Sequence, residues 1–110
     1  MLYAESNGEL IGLIGFRQSK KNRSKHVSEM GPLYIKREYR KAKIGSRLAK
    51  TAFKIAKQRG VEKIRLEVNK SNKPAVKFYK KMGFKKVGLL KKELKINGKY
   101  YDLIILEKRI

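Results

Sequence analysis

The 110-residue sequence has no cysteine and no tryptophan, and only two prolines, one histidine and nine acidic residues. Without cysteine there can be no disulfide framework, no thiolate nucleophile and no Cys-ligated zinc. That absence points to a reducing compartment, and a cytoplasmic protein is expected. The lone histidine, His26, lies beside a basic loop and forms no cluster with carboxylates, so no metal is expected. No apolar run approaches the roughly 18–20 residues that span a membrane. The start, Met1-Leu2-Tyr3-Ala4-Glu5, has neither the basic n-region nor the long apolar h-region of a signal peptide. There is no repeat, no low-complexity block and no linker.

What is abundant is positive charge: 30 Lys and Arg against 9 Asp and Glu, for a net +21. Such an excess attracts polyanions, whether nucleic acid, ribosomes or phosphorylated cofactors. The plainer explanation is a coding bias or heat adaptation toward Lys. High-temperature enrichment usually brings Glu along with Lys, and here Glu does not keep pace. A chain of this length buries roughly 60–70% of its unfolded surface. That suffices for one core, so residues 1–110 are expected to form a single domain.

Hydrophobic patterning predicts alternating strands and helices. Residues 1–6 and 9–18 are β-like runs around Asn7-Gly8, a dipeptide that suits a two-residue type I′ hairpin turn. Arg17 to Lys25 reads as a basic loop. Val27 to Ile35 resumes strand character, and Gly31-Pro32 inside it implies an edge or a bulge. Residues 44–59 read as a helix. Ile44, Leu48, Ala52 and Ile55 share its apolar face with Ala49, Phe53 and Ala56 beside them, and Arg47, Lys50, Lys54 and Lys57 lie outside. Gly60 is its stop. Residues 61–69 form a strand, so strands 27–35 and 61–69 are expected to be parallel neighbours across a crossover. A second helix spans about 73–82, with Ser71 or Asn72 as cap, Pro74 in its first turn and Gly83 after it. Residues 84–96 and 99–109 form another hairpin around Asn97-Gly98.

Two segments can carry chemistry. The first, Arg40-Lys41-Ala42-Lys43-Ile44-Gly45-Ser46, joins a strand to a helix. Unpaired backbone N–H groups and the helix dipole make such a junction an anion site. It can equally be a solvated basic turn, and it lacks the glycines of a Walker loop or a dinucleotide fingerprint. The second runs from Leu66-Glu67-Val68-Asn69 through Asn72 to Phe78-Tyr79-Lys80-Lys81-Met82-Gly83-Phe84. Taken singly, Tyr79 is a core aromatic and Asn72 a cap. The combination is far more specific.

On these residues the chain resembles the general N-acetyltransferase (GNAT) superfamily. The match rests on Leu33-Tyr34-Ile35 followed by Tyr39 through Gly45, on Asn72 through Phe84, and on the closing Gly98 to Leu106 hairpin. Glu67 with Tyr79 looks most like the ribosomal-protein N-terminal acetyltransferase branch. The resemblance implies an α/β (α+β) fold: a mixed, mostly antiparallel sheet of about six strands, two helices and a splayed central strand pair. It implies acetyl-CoA as co-substrate and a primary amine as acceptor, on a protein α-amino terminus or a lysine. A polyamine or aminoglycoside is less suited to a chain of charge +21.

The resemblance also assigns roles. Leu33, Tyr34 and Ile35 match the strand whose backbone pairs with the pantetheine arm. Arg40 takes the family's Gln or Arg position. Lys41, Ala42, Lys43, Ile44, Gly45 and Ser46 match the pyrophosphate loop, and Asn72 matches the Asn that bonds the cofactor arm. Tyr79 matches the acid beside sulfur. Glu67, or Glu29 on the preceding strand, matches the base, and either can instead be an ion-pair partner. No covalent intermediate is needed.

Two departures stand out. Lys43 occupies a position that is usually Gly; if φ is positive there, a side chain costs on the order of 1 kcal/mol. The family's usual first strand and two helices are not seen before the first hairpin. The acceptor wall is then expected from a partner chain, for example in a homodimer paired through the edge at residues 1–6, or the site is open, or catalysis is absent. The alternative function is a basic nucleic-acid- or ribosome-associated module on the same fold, although the stacked aromatics of single-strand RNA readers are missing.

Overall fold

The computed structural model describes residues 2–6 and 8–110; the side chains of residues 2–6, Phe16, Pro32, Lys41 and Ala42 lie outside the described set. The chain divides into two compact units, Met1–Ile64 with Ile110, and Arg65–Arg109. Among the described residues, six strands and two α-helices make up the regular structure, together with two short 3-10 turns. Among the described residues, no helix is long and apolar enough to cross a membrane, and no group of three His, Cys, Asp or Glu is placed to hold a metal ion.

The first unit opens with strands β1 (Leu2–Ser6), β2 (Glu9–Gln18) and β3 (Val27–Ile35), each antiparallel to the next. Ser6 pairs with Glu9, so β1 and β2 are joined by a two-residue connection, with Gly8 at φ 81°. Asn7, and with it the expected turn type, lies outside the described residues. The Gly31-Pro32 irregularity is a bulge: Ile14 faces Leu33 and Phe16 faces Met30, so two β3 residues stand opposite Gly15. A bulge is the place where a strand accommodates a proline that cannot donate to the ladder.

Helix α1 (Ile44–Gln58) packs on these three strands. Its buried residues, Leu48, Ala49, Ala52 and Ala56, fall on the predicted face, and Arg47, Lys50, Lys54 and Lys57 are exposed. Small residues on this stripe let the helix approach closely. Gly12 of β2 shows how closely: a Cβ there would lie 2.7 Å from Ile35 Cδ1 and 3.2 Å from Leu48 Cδ1. Gly60, at φ 83°, ends the helix as expected. Strand β4 (Lys63–Asn69) starts later than the predicted residue 61, because the Val61 N–H is taken by the Ala56 carbonyl at 3.0 Å. The His26 carbonyl accepts from Glu62 N–H and Lys63 N–H at 2.7 and 3.0 Å, which sets the start of β4 beside the start of β3.

In the second unit, β6 (Lys99–Arg109) lies between β4 and β5 (Lys85–Ile96). Arg65 bonds Glu107 at 2.7 Å, and Lys70 N–H bonds the Asp102 carbonyl at 2.9 Å, so β4 and β6 run antiparallel. The β5–β6 ladder shifts register twice, and Lys92, at φ 52°, is held by donating its N–H to Asp102 Oδ1 at 2.9 Å. Helix α2 (Lys73–Lys81) is capped by Asn72, carries Pro74 in its first turn and is followed by Gly83 at φ 99°. Leu66, Val68, Tyr79, Phe84, Leu103, Ile104 and Leu106 are buried.

Candidate functional site

The first unit holds the candidate anion cradle. After β3 the chain turns through a 3-10 segment, Arg37–Ala42, where a loop was expected, and enters α1 through Lys43. Lys43 has φ 58° and ψ 25°, the left-handed conformation that costs any residue with a Cβ. Lys43 provides no side-chain cap for α1. The backbone therefore turns sharply and delivers the positive end of a 15-residue helix dipole without a capping carboxylate or hydroxyl from the N-cap residue. Lys43 and Arg47 are exposed, and Ile44, Gly45 and Ser46 are half-buried in the first turn. Lys41 and Ala42 place their backbone in the 3-10 turn; their side chains lie outside the described ones.

Arg40 is exposed and donates Nε–H to the Ile35 carbonyl at 3.1 Å. This bond ties the turn to the end of β3, so Arg40 positions the cradle. A second tie is the Lys36 N–H bond to the Ile11 carbonyl at 2.7 Å. Ile11 and Lys36 follow the Gly12–Ile35 pair in register, so this bond carries the β2–β3 ladder one step past the end of β3. Lys36 also pairs through its ammonium with Glu9. Leu33, Tyr34 and Ile35 pair along one edge with Ile14, Leu13 and Gly12 of β2, and Tyr34 is exposed.

Glu29 lies two positions before the Gly31-Pro32 bulge, exposed, with its carboxylate 3.4 Å from Arg17 across the ladder. The two residues share a cavity of about 290 Å³ with Gly15, Met30 and Gly31. Arg17 was not foreseen from the sequence. Its partner is twelve residues away, and only the hairpin register sets them opposite each other.

The second unit holds Glu67, Asn72 and Tyr79. Glu67 is exposed between buried Leu66 and Val68, and makes no ion pair among the described residues. Asn72 Oδ1 accepts the Ala75 N–H at 3.3 Å, so Asn72 is a helix cap; the other half of its amide remains a donor. Tyr79 is buried against the edges of Phe78 and Phe84, with ring centroids 5.3 and 5.8 Å apart. Its peptide carbonyl accepts from Phe84 N–H at 3.0 Å, which locks the Gly83 turn onto the helix. Burial pushes its phenol pKa above the ordinary 10.0, so the hydroxyl keeps its proton throughout the neutral range. The core-aromatic and proton-donor readings of Tyr79 are thus compatible. Among the described residues, His26 contributes its carbonyl to the bonds with Glu62 and Lys63.

Comparison with known proteins gives the family and the fold. The model of the Acetyltransferase (GNAT) family matches residues 1–84. An N-alpha-acetyltransferase of Sulfurisphaera tokodaii is 35% identical over 99 residues, covering 80% of this chain and 58% of that protein. A spermidine N(1)-acetyltransferase of Thermoplasma acidophilum is 42% identical over 73 residues, covering 66% of this chain and 44% of that protein. The crystal structure of a GNAT-family acetyltransferase from Streptococcus pneumoniae superposes with a TM-score of 0.91 at 27% identity, covering 98% of this chain and 65% of the other. The fold is the GNAT fold, and the chain belongs to the GNAT acetyltransferase family. It spans 58% of the length of the Sulfurisphaera relative.

Proposed function

We propose that the chain transfers an acetyl group from acetyl-CoA to a primary amine, a protein α-amino terminus or a lysine, and that residues 1–110 act as a single transferase domain. The observation that carries this reading is the left-handed Lys43 opening α1 without a side-chain cap, at the end of a basic turn. That arrangement supports the reading of residues 41–46 as a pyrophosphate receptor. Acetyl-CoA supplies the activated thioester and the pyrophosphate by which it is held. The amides of Ile44, Gly45 and Ser46 donate to that group, and Lys41 and Lys43 add charge. The backbone of Leu33-Tyr34-Ile35 takes the pantetheine amides in this reading, and the Asn72 amide is a separate donor for the cofactor arm. Arg40 holds the turn in register.

The acceptor amine is protonated at neutral pH and must lose a proton before it attacks. Glu67 is the base in this reading, since its carboxylate is exposed and unpaired among the described residues. Glu29 is committed to Arg17. Attack forms the new N–C bond as the C–S bond breaks, and the electron pair leaves on sulfur. The Tyr79 hydroxyl, neutral at neutral pH, delivers a proton to that sulfur. The spacing of Glu67 and Tyr79 favours the ribosomal-protein N-terminal branch. The name of the Sulfurisphaera relative speaks for an α-amino acceptor and that of the Thermoplasma relative for a polyamine. The net charge of +21 disfavours the polyamine here.

The test is thiol release from acetyl-CoA in the presence of peptides with free α-amino termini and lysines. Glu67→Gln and Tyr79→Phe should each lower kcat by about 10²-fold or more with little change in KM for acetyl-CoA. Glu29→Gln should leave both nearly unchanged. Loss of activity in Glu29→Gln with retention in Glu67→Gln would move the base to Glu29.

A further inference from the structure

Helix α2 presents a second cationic feature, to which the proposed acetyl transfer assigns no role. Lys70, Lys73, Lys77, Lys80 and Lys81 line one groove of about 460 Å³ with Val76. All five lysines are exposed, and none makes an ion pair among the described residues. Fold stability does not account for the cluster. Lys73 opens the helix, where the dipole favours negative charge. Lys73 and Lys77, Lys77 and Lys81, and Lys77 and Lys80 stand one turn apart, where like charges repel. The helix has no acidic residue to relieve them.

We propose that this groove binds the phosphate backbone of double-helical nucleic acid, without regard to sequence. Three observations select this partner. The lysines run along one line: from Lys73 to Lys81 the helix rises about 12 Å, a length over which a duplex presents on the order of seven phosphates. Every cation is Lys, a point charge suited to phosphate, and none is Arg, whose fork reads guanine edges. The rings of α2 are turned away from solvent, Tyr79 buried and Phe78 half-buried, so no stacking platform for single-stranded bases is offered and no apolar wedge for a lipid surface. The groove adjoins Asn72 and Tyr79 in the chain, so its duplex binding is read separately from acetyl transfer.

The experiment is fluorescence anisotropy of the full chain with a labelled DNA duplex and an RNA duplex of the same sequence, across a salt series. Five lysine–phosphate contacts give a slope of log K against log salt of about −4.5, or roughly 500-fold weaker binding from ~50 to ~200 mM salt. Lys73→Gln/Lys77→Gln/Lys80→Gln should make the slope shallower by about 2.7. The same variant should unfold at a temperature equal to or above that of the parent, since it removes repulsion. Lys50→Gln/Lys54→Gln/Lys57→Gln on α1 makes the same change in net charge, and should move the slope far less. Similar slopes for the two variants would overturn the proposal in favour of diffuse attraction to the whole basic surface. Displacement of the duplex by acetyl-CoA, or equally tight binding to phosphatidylserine vesicles, would also overturn it. Equal binding of several unrelated duplex sequences is expected, and preference for one sequence would contradict the sequence-independent mode.

Discussion

Replacing Lys43 by glycine separates the two things this residue does. Its φ of 58° and ψ of 25° place a side chain in the left-handed region, at a cost of about 1–2 kcal/mol. Glycine removes that cost but loses more freedom on folding, by about 0.4–1 kcal/mol. The balance is a stabilisation of about 0–1.6 kcal/mol, centred near 0.8, which for a domain of this size raises Tm by roughly 3–5 °C at the centre of that range. The same change removes an ammonium from the mouth of the α1 N-terminus. An exposed charge contact is worth about 0.2–1 kcal/mol, so the acetyl-CoA Kd should rise by roughly 1.5- to 5-fold, and its dependence on salt should weaken. Lys43→Asn, which tolerates the left-handed region without charge, should also gain stability and lose affinity. Lys43→Ala should lose affinity with no gain in Tm. Thermal unfolding followed by circular dichroism and calorimetric titration with acetyl-CoA give the two readouts. A Lys43→Gly chain that melts below the parent would refute the strain argument. One that binds acetyl-CoA with unchanged affinity and salt dependence would refute the electrostatic role.

Other outcomes follow from individual contacts. Gly12→Ala forces a methyl to within 2.7 Å of Ile35 Cδ1, and denaturant unfolding should show a loss of about 1–3 kcal/mol. Asn72→Ala removes the α2 cap and should cost about 0.5–2 kcal/mol, most of which Asn72→Asp should restore. The Tyr79 pKa is raised in the folded chain by burial, so its contribution to stability is full below the unfolded value near 10.0 and is lost as pH rises through the folded value. Unfolding free energy should therefore fall less steeply above pH 10.0 in Tyr79→Phe than in the parent; identical slopes would contradict the burial argument.

Elements with a strong period and clear punctuation were legible in the sequence. The α1 face from Leu48 to Ala56, the Gly60 stop, the Asn72 cap and the Gly31-Pro32 bulge all follow from local chemistry, and the structure has each of them. The boundary errors have local causes. Strand β4 begins at Lys63 because the end of α1 captures Val61. The 3-10 turn at Arg37–Ala42 has no hydrophobic period to announce it, and it is held by Arg40 and Lys36 bonding to carbonyls elsewhere in the fold. The site was legible in the same uneven way. The motif marks Asn72 and Tyr79, but the burial that holds the Tyr79 proton depends on Phe84, which reaches it only after the Gly83 turn. The Arg17–Glu29 pair depends on hairpin register, which a bulge shifts and no spacing rule encodes.

The central claim is that the junction of the 3-10 turn and α1 is the acetyl-CoA receptor. Amide chemical shifts of the labelled chain, followed during titration with acetyl-CoA, test it most directly. The account predicts saturable shifts of the Ile44 and Gly45 N–H resonances at the same midpoint as those of Leu33 to Ile35, with Lys43→Gly raising that midpoint. No shift at Ile44 and Gly45 while acetyl-CoA binds elsewhere, or no saturable binding at all, would contradict it.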